Sequence, residues 1–259
     1  MSDLILFDQT DSIAEVVLNR PQRLNAFNLA MWRQLGQVMA TVNANDALRC
    51  VILRGAGDKA FGAGADVAEF TDTRYSAAQA QAYAEAMEPA LKGVADCPHP
   101  TVASIHGACM GGGLELALLC DLRICGVGAR FGIPINRIGH CLPYAGLRPL
   151  VGLVGPATAA EILLEGRILD AEAALAKGLV TRVVPDHEVS AETQATAARI
   201  AKGAPLAARG HKRFIRRLAD PRPLSDAELA EPYALCDSAD YREGIRAFLA
   251  KETPRFEGR

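Results

Sequence analysis

The sequence predicts an α/β fold with parallel strands, followed by a helical C-terminal region, and three observations carry that expectation. A strand-like run, a glycine-containing loop and a helical stretch follow one another from 50–55, from 101–107 and again from 122–126. Strands that alternate with helices pair in parallel and gather their loops on one side. Beyond about residue 186 the pattern is purely helical, so the expected division is an α/β core over 1–186 and a helical region over 187–259. Finally, half of the 259 residues are hydrophobic and 22% are charged, which is enough apolar surface for one large core.

The elements follow in order. "LILF" (4–7) and "IAEVVLN" (13–19) read as two strands joined by the turn-forming "DQTDS". Asn28 is placed to cap a helix over 29–42, with Met31, Leu35, Val38 and Val42 along one face. "CVILRG" (50–55) is a buried strand, and an alanine-rich helix covers 77–95 until "CPHP" stops it. "TVASIHG" (101–107) is the next strand, followed by glycines and a helix through about 119, and "LRICG" (122–126) is another strand. Helices are expected over 188–203, 205–219, 225–237 and 240–251, punctuated by Pro205, Pro221 and Pro223.

Composition excludes several functions. A formal net charge of −2 with no long basic tract argues against nucleic acid as a main partner. The densest basic stretch, "RGHKRFIRR" (209–217), reads as an amphipathic helix with a solvated outer face, an anion site being the alternative. The seven cysteines are odd in number, irregular in spacing and lack any CxxC pair. Neither a disulfide framework nor a metal site is expected, and most of the cysteines read as small core residues in a reducing compartment. The N-terminus has no basic segment followed by an apolar one, and no apolar run reaches the roughly 18 to 20 residues of a membrane span. The expectation is a soluble cytoplasmic protein.

Two loops carry the chemistry. "FGAGAD" (61–66) and "CMGGGLE" (109–115) each follow an expected strand. Glycine admits positive φ and lets a ligand approach main-chain N–H groups. The first N–H groups of a helix lack internal partners and sit at the positive end of its dipole. Side by side, two such loops could aim two N–H donors at one oxygen, an oxyanion hole worth roughly 3 kcal/mol per donor. Neither loop has P-loop spacing, and "GACMGGG" lacks G-x-G-x-x-G, which argues against phosphate binding. Each loop taken alone could equally be a tight turn.

Glu115 stands among Leu114, Leu116, Leu118 and Leu119 in the first turn of its helix. It could serve only to complement the helix dipole, a contribution of about 0.3 to 1 kcal/mol. The flanking leucines instead imply burial, where an unpaired carboxylate is costly and its pKa rises. A buried carboxyl beside an oxyanion hole is a common arrangement for acid–base catalysis near neutral pH.

Five blocks in register carry a resemblance: "LNRPQRLNAFN" (18–28), "GAGDKAFGAGADVAEF" (55–70), "HGACMGGGLELALLCDLRICG" (106–126), "ARFGIP" (129–134) and "EGRILDAEAALAKGLVTRVV" (165–184). Together with "DSADYREGIRAFLAKETPRF" (237–256) they resemble the enoyl-CoA hydratase/isomerase family, the crotonase superfamily, over essentially the whole chain. The resemblance implies a spiral of β-β-α turns with a helical C-terminal trimerisation region, assembled as a homo-trimer or a dimer of trimers. It implies an acyl-CoA thioester substrate, coenzyme A entering as part of it, and no separate cofactor. The backbone N–H groups of Ala65 and Gly112 would form the oxyanion hole, with Asp66, Val67 and Gly111 beside them. The Ala63 carbonyl would face the adenine, Arg23 and Leu24 would lie along the CoA, and Phe248 and Lys251 would close over the nucleotide. For Arg23 and Lys251, a solvated surface charge is an equal reading. Glu115 matches the first of the two catalytic glutamates of hydratases.

The second glutamate has no counterpart. It follows the "FG-x-P" turn in hydratases, whereas here Pro134 is followed by Ile135, and the next turn reads "LPYAGLRPL" rather than a glycine-rich run. His140 or Tyr144 could supply the second acid or base, although each also reads as an interfacial or packing residue. Three functions stay open. The first is hydratase-like chemistry. The second is decarboxylation, C–C cleavage or isomerisation of a specialised acyl-CoA, for which an apolar Ile135 suits a dry pocket. The third is a non-catalytic CoA-binding paralogue.

Overall fold

The computed structural model describes residues 3–259. Its first strands, β1 (Ile5–Thr10) and β2 (Ile13–Leu18), form an antiparallel hairpin with Thr10 opposite Ile13. The expected turn over 8–12 is therefore only Asp11 and Ser12, and β1 runs on through Asp8, Gln9 and Thr10. Asp11 takes the positive φ of 53° that a two-residue hairpin loop requires. The polar end of β1 hid its strand character because β1 is an exposed edge.

Helix α1 (Leu29–Asn43) begins where the Asn28 side chain accepts the Met31 N–H, as expected for a capped start. Strand β3 (Cys50–Gly55) is buried throughout, apart from a half-buried Arg54. The three-residue strand β4 (Ala60–Gly62) follows, then α2 (Phe70–Thr73) and α3 (Ala77–Ala95), whose Ser76 and Gln79 form a capping box. Helices α1 and α3 cross closely: a Cβ at Gly93 would lie 2.6 Å from Met39 Cβ.

The expected strand over 101–107 ends at Ile105, and a second strand, not expected from the sequence, follows within the expected glycine loop. β5 (Thr101–Ile105) ends before Gly107, which turns the chain at φ 54° into β6 (Ala108–Met110). Nothing larger than glycine fits there, because a Cβ would lie 2.0 Å from the Lys59 carbonyl oxygen. Then come α4 (Gly112–Leu118), β7 (Leu122–Gly126), β8 (Arg130–Gly132), α5 (Tyr144–Leu164), β9 (Leu169–Asp170), α6 (Ala171–Ala176) and β10 (Arg182–Val184).

These strands form two sheets. The larger has the order β1-β2-β3-β5-β7-β10 and is parallel except for β1. The smaller has the order β4-β6-β8-β9, with β4, β6 and β8 parallel. Three successive passes thus put one strand in the large sheet and the next in the small one: β3 then β4, β5 then β6, β7 then β8. This is the β-β-α spiral implied by the resemblance.

The main core lies between the sheets and helices α1, α3, α4 and α5, with Trp32, Phe27, Phe61 and Phe131 among its largest members. Helix α7 (Val189–Ala201) covers the other face of the large sheet, packing Ala197 and Ile200 on Cys50, Ile52, Val102 and Ile124. The helical region continues through α8 (Pro205–Arg217), α9 (Asp226–Ala234) and α10 (Ala239–Ala250). Lys212 and Arg216 of α8 tie it to the core through Asp121, at 2.7 and 3.0 Å.

Helix α5 is long and apolar enough, by length and composition, to cross a membrane, although Arg148 and Glu161 interrupt its apolar residues. It is not a continuous rod: Gly155 breaks it with non-helical φ 74° and ψ 166°, and Gly146, Leu150, Ala159 and Ile162 are buried against the core. All seven cysteines are free, five of them buried.

Candidate active site

Parallel pairing of β4, β6 and β8 places the ends of all three strands side by side. The segments leaving them, 63–66, 111–112 and 133–135, therefore line one edge of the small sheet. The first two are in backbone contact. A Cβ at Gly113 would meet the Gly62 carbonyl oxygen at 2.4 Å, and one at Gly64 (φ 98°) would meet the Met110 carbonyl oxygen at 3.3 Å. Gly111, at φ 47° and ψ −122°, donates to the Gly132 carbonyl at 2.9 Å, which ties the second loop to the third strand.

The hydrogen bonds orient the candidate donors. Phe27 donates to Gly64 O at 2.8 Å and accepts from Asp66 N at 2.7 Å, bridging around Ala65. In such a parallel bridge the N–H of the central residue points away from the partner, so the Ala65 N–H faces outward from Phe27. Gly112 opens α4, where no carbonyl of the same helix lies four residues back to accept its N–H. Behind it stands Trp32, whose ring would be 3.0 Å from a Cβ at Gly112. Trp32 stacks on Phe27 with ring centroids 4.1 Å apart. Sequence reading assigned this residue no role; a lone tryptophan on the buried stripe of α1 was the available signal.

Glu115 lies one turn into α4, its N–H bonded to Gly111 O at 2.8 Å. Its carboxylate reaches the first turn of α5, with Oε2 3.0 Å from the position of a Cβ on Gly146. Leu142 packs at the same point. Removal from water pushes the Glu115 carboxyl above the usual carboxylate range, and the charge of Arg74 opposes that rise only in part. The expectation of a carboxylate in an apolar wall, with a raised pKa, agrees with this setting.

The segment before α1 is built for rigidity. Leu24 and Asn25 both adopt left-handed φ, 51° and 55°. Buried Asn25 holds them there: its Oδ1 accepts from Arg20 N, and its Nδ2 donates to Ala56 O and Ala60 O. Leu24, 43% exposed, accepts from Ala63 N at 3.0 Å, so those two expected contact residues are adjacent. A hollow of about 180 Å³ lies beside them, lined by Pro21, Leu24, Gly57 and Lys59. Arg23, next to Leu24 in the chain, is exposed. Asp66 pairs with Arg20 at 2.9 Å, and that hydrogen bond holds its carboxyl below the usual range. Val67, just beyond, is exposed. Arg20 and Asn25 are further structural supports that the sequence reading did not single out.

The remaining expected residues are placed as follows. Ile135 is half-buried against the main core, three residues beyond the end of β8, where it opens a short turn over Ile135–Ile138. His140 is exposed, and Tyr144 opens α5 with 88% of its surface in solvent, two residues from Gly146. Phe248 is exposed on α10, and Lys251 is its C-cap at φ 57°. Helix α10 packs on the chain's own tail, where Asp240 accepts from Glu257 N at 2.7 Å. A larger hollow of about 840 Å³ lies there, in whose lining Arg246 pairs with Glu243 and Glu252. Among the described residues no cluster of three or more His, Cys, Asp or Glu side chains could hold a metal ion.

A two-sheet spiral with paired glycine loops beside a half-buried glutamate defines a crotonase-type α/β enzyme. The family described as enoyl-CoA hydratase/isomerase matches residues 8–259, and the chain belongs to it. The chain is 31% identical to a crotonyl-CoA hydratase of Syntrophomonas wolfei over 258 residues, 97% of each chain. It superposes with TM-score 0.98 on the crystal structure of an enoyl-CoA hydratase/carnithine racemase from Magnetospirillum magneticum, at 51% identity, covering 100% of this chain and 97% of that one. An enoyl-CoA hydratase from Bacillus anthracis gives TM-score 0.91 at 32% identity, covering 99% and 100%. This chain is thus a hydratase-like acyl-CoA enzyme whose substrate is an acyl-CoA thioester.

Proposed function

We propose that the enzyme adds water across the Cα–Cβ double bond of an enoyl-CoA, with Glu115 as acid–base and the N–H groups of Ala65 and Gly112 on the thioester oxygen. The observation that carries this reading is the placement of Glu115, which reaches from the turn after Gly112 into an apolar wall where its pKa is raised. Water attacks Cβ as Glu115 takes its proton, and the π electrons shift to the thioester oxygen, where the two donors hold the enolate. Return of a proton to Cα restores the thioester. Each donor is worth roughly 3 kcal/mol of barrier. A carboxyl with raised pKa is the better base and also a usable donor near neutral pH.

Arg23, Leu24 and Ala63 would run along the CoA, with Asp66, Val67 and Gly111 flanking the thioester and Phe248 and Lys251 meeting the nucleotide. CoA enters only as part of the substrate, so no other cofactor is needed. Ile135 takes the place of a second glutamate. His140 or Tyr144 would then serve as the second acid or base once a neighbouring subunit or the substrate covers them, in a cytoplasmic trimer or dimer of trimers. A second reading rests on Ile135 itself. An apolar residue packed there favours a reaction that keeps water out, such as decarboxylation or C–C cleavage of a specialised acyl-CoA.

The test is loss of the enoyl-thioester absorbance of crotonyl-CoA with the wild type and Glu115→Gln. Turnover that falls about 10²- to 10⁴-fold in the variant supports hydration through Glu115. A wild type that binds CoA esters but leaves crotonyl-CoA unchanged overturns it in favour of the second reading.

A further inference from the structure

Arg74 is a cation without an anion. It caps α2, nine residues beyond Ala65, and its guanidinium is half-buried. Its neighbours are aromatic: the guanidinium lies 3.6 Å from the centroid of Tyr83 and 5.0 Å from that of Phe70. Among the described residues its side chain has one hydrogen-bond acceptor, the Met87 thioether at 3.4 Å, and thioether sulfur is a weak one. The Nε–H is buried with no acceptor at all.

Other arginines of this chain show the usual solution. Arg20 pairs with Asp66, Arg54 with Glu15 and Arg217 with Glu228, while buried Arg123 donates to main-chain carbonyls. Of the carboxylates close in sequence, Asp72 is exposed and forms no ion pair with Arg74, and Glu69 is committed elsewhere: it accepts from Leu29 N at 2.9 Å and from the Tyr83 hydroxyl at 2.7 Å. The Tyr83 ring, 3.6 Å away, engages the flat face of the guanidinium, while its N–H donors point outward from the edge, with Met87 as their one acceptor. That edge geometry matches a carboxylate in bidentate fashion. Arg74 also follows, through α2, directly on the 63–66 segment that carries the Ala65 N–H, and its charge is felt at Glu115.

We infer that Arg74 is a specificity-determining residue that receives a second carboxylate on the acyl chain, so that the preferred substrates are acyl-CoA thioesters of dicarboxylic acids. The inference rests on the acyl-CoA reading of the site above. A guanidinium held by stacking and short of acceptors is preorganised for such a ligand, because little rotamer freedom remains to be lost on binding. A methyl-terminated chain would leave the same donors unpaired and gains nothing from them.

The experiment uses saturated thioesters, which bind without being hydrated. Succinyl-, glutaryl- and adipyl-CoA are titrated calorimetrically against butyryl-, pentanoyl- and hexanoyl-CoA of equal chain length, with the wild type and Arg74→Met. The wild type is expected to prefer the carboxylated member of at least one pair by about tenfold to a hundredfold, the usual range for hydrogen bonds to a charged group. In Arg74→Met, confirmed folded by circular dichroism, that ratio falls to near one. No preference at any length in the wild type, or a preference that survives in Arg74→Met, overturns the inference and leaves the acyl-CoA reading standing. Failure of all six thioesters to bind overturns both.

Discussion

The Glu115 carboxylate and the Gly146 backbone are in contact: a Cβ on Gly146 would lie 3.0 Å from Glu115 Oε2 and 3.0 to 3.1 Å from Leu142 Cδ1 and Cγ. All three neighbours are ends of flexible side chains. Gly146→Ala is therefore expected to fold but to push the carboxylate aside by a few tenths of an ångström. Turnover of an enoyl-CoA should fall about tenfold to a hundredfold, as small misplacements of catalytic groups do, with little change in melting temperature. Unchanged turnover would mean that the carboxylate does not need its present position.

The same carboxylate bears on stability. Its native pKa lies above the ordinary 4.5 because burial disfavours the charged form. Between 4.5 and the native value the folded state binds more protons than the unfolded one, so stability falls as pH rises through that window. Glu115→Gln removes this loss. Its melting temperature should match the wild type near pH 4.5 and exceed it increasingly toward neutrality, as activity disappears. A gap that stays constant with pH would show that the carboxyl is not desolvated.

The fold was legible where periodicity had room to show. The elements β3, α3 and β7 fall on the residues expected, and the Asn28 cap was visible as a side-chain type at a helix start. Strands β4, β6 and β8 have only three residues each, too few for an alternating pattern, and β6 falls within the stretch read as a glycine loop. The small sheet was therefore invisible even though it aligns the site. Glu115 stood out because a charge among leucines breaks a pattern. Arg74 and Asn25 did not, because each lies in a polar stretch where its burial leaves no trace in the sequence.

Contact between the two glycine loops can be tested directly. A methyl group at Gly113 would meet the Gly62 carbonyl oxygen at 2.4 Å, and a backbone atom cannot rotate away. Gly113→Ala should lose about 1 to 3 kcal/mol or more through overpacking, or a melting temperature lower by several degrees. Gly152→Ala, with nothing within 4 Å of the new methyl, should be neutral or stabilising by up to about 1 kcal/mol in its helix. Equal melting points for the two variants would contradict the packing of the loops.

Ile135 offers the sharpest change of function. It lies three residues beyond β8, in the segment that leaves the small sheet beside the loop from which Glu115 follows. If hydration here is limited by having one glutamate for two proton transfers, Ile135→Glu supplies the missing partner, and crotonyl-CoA turnover should rise about tenfold or more. The rise should be lost again in Ile135→Glu/Glu115→Gln, because the two groups divide one task. The cost is an added charge against the main core, so the variant should melt lower than the wild type, and the more so as pH rises. If turnover falls instead while the variant stays folded, apolar Ile135 is itself required, and the water-excluding chemistry is the one this site performs.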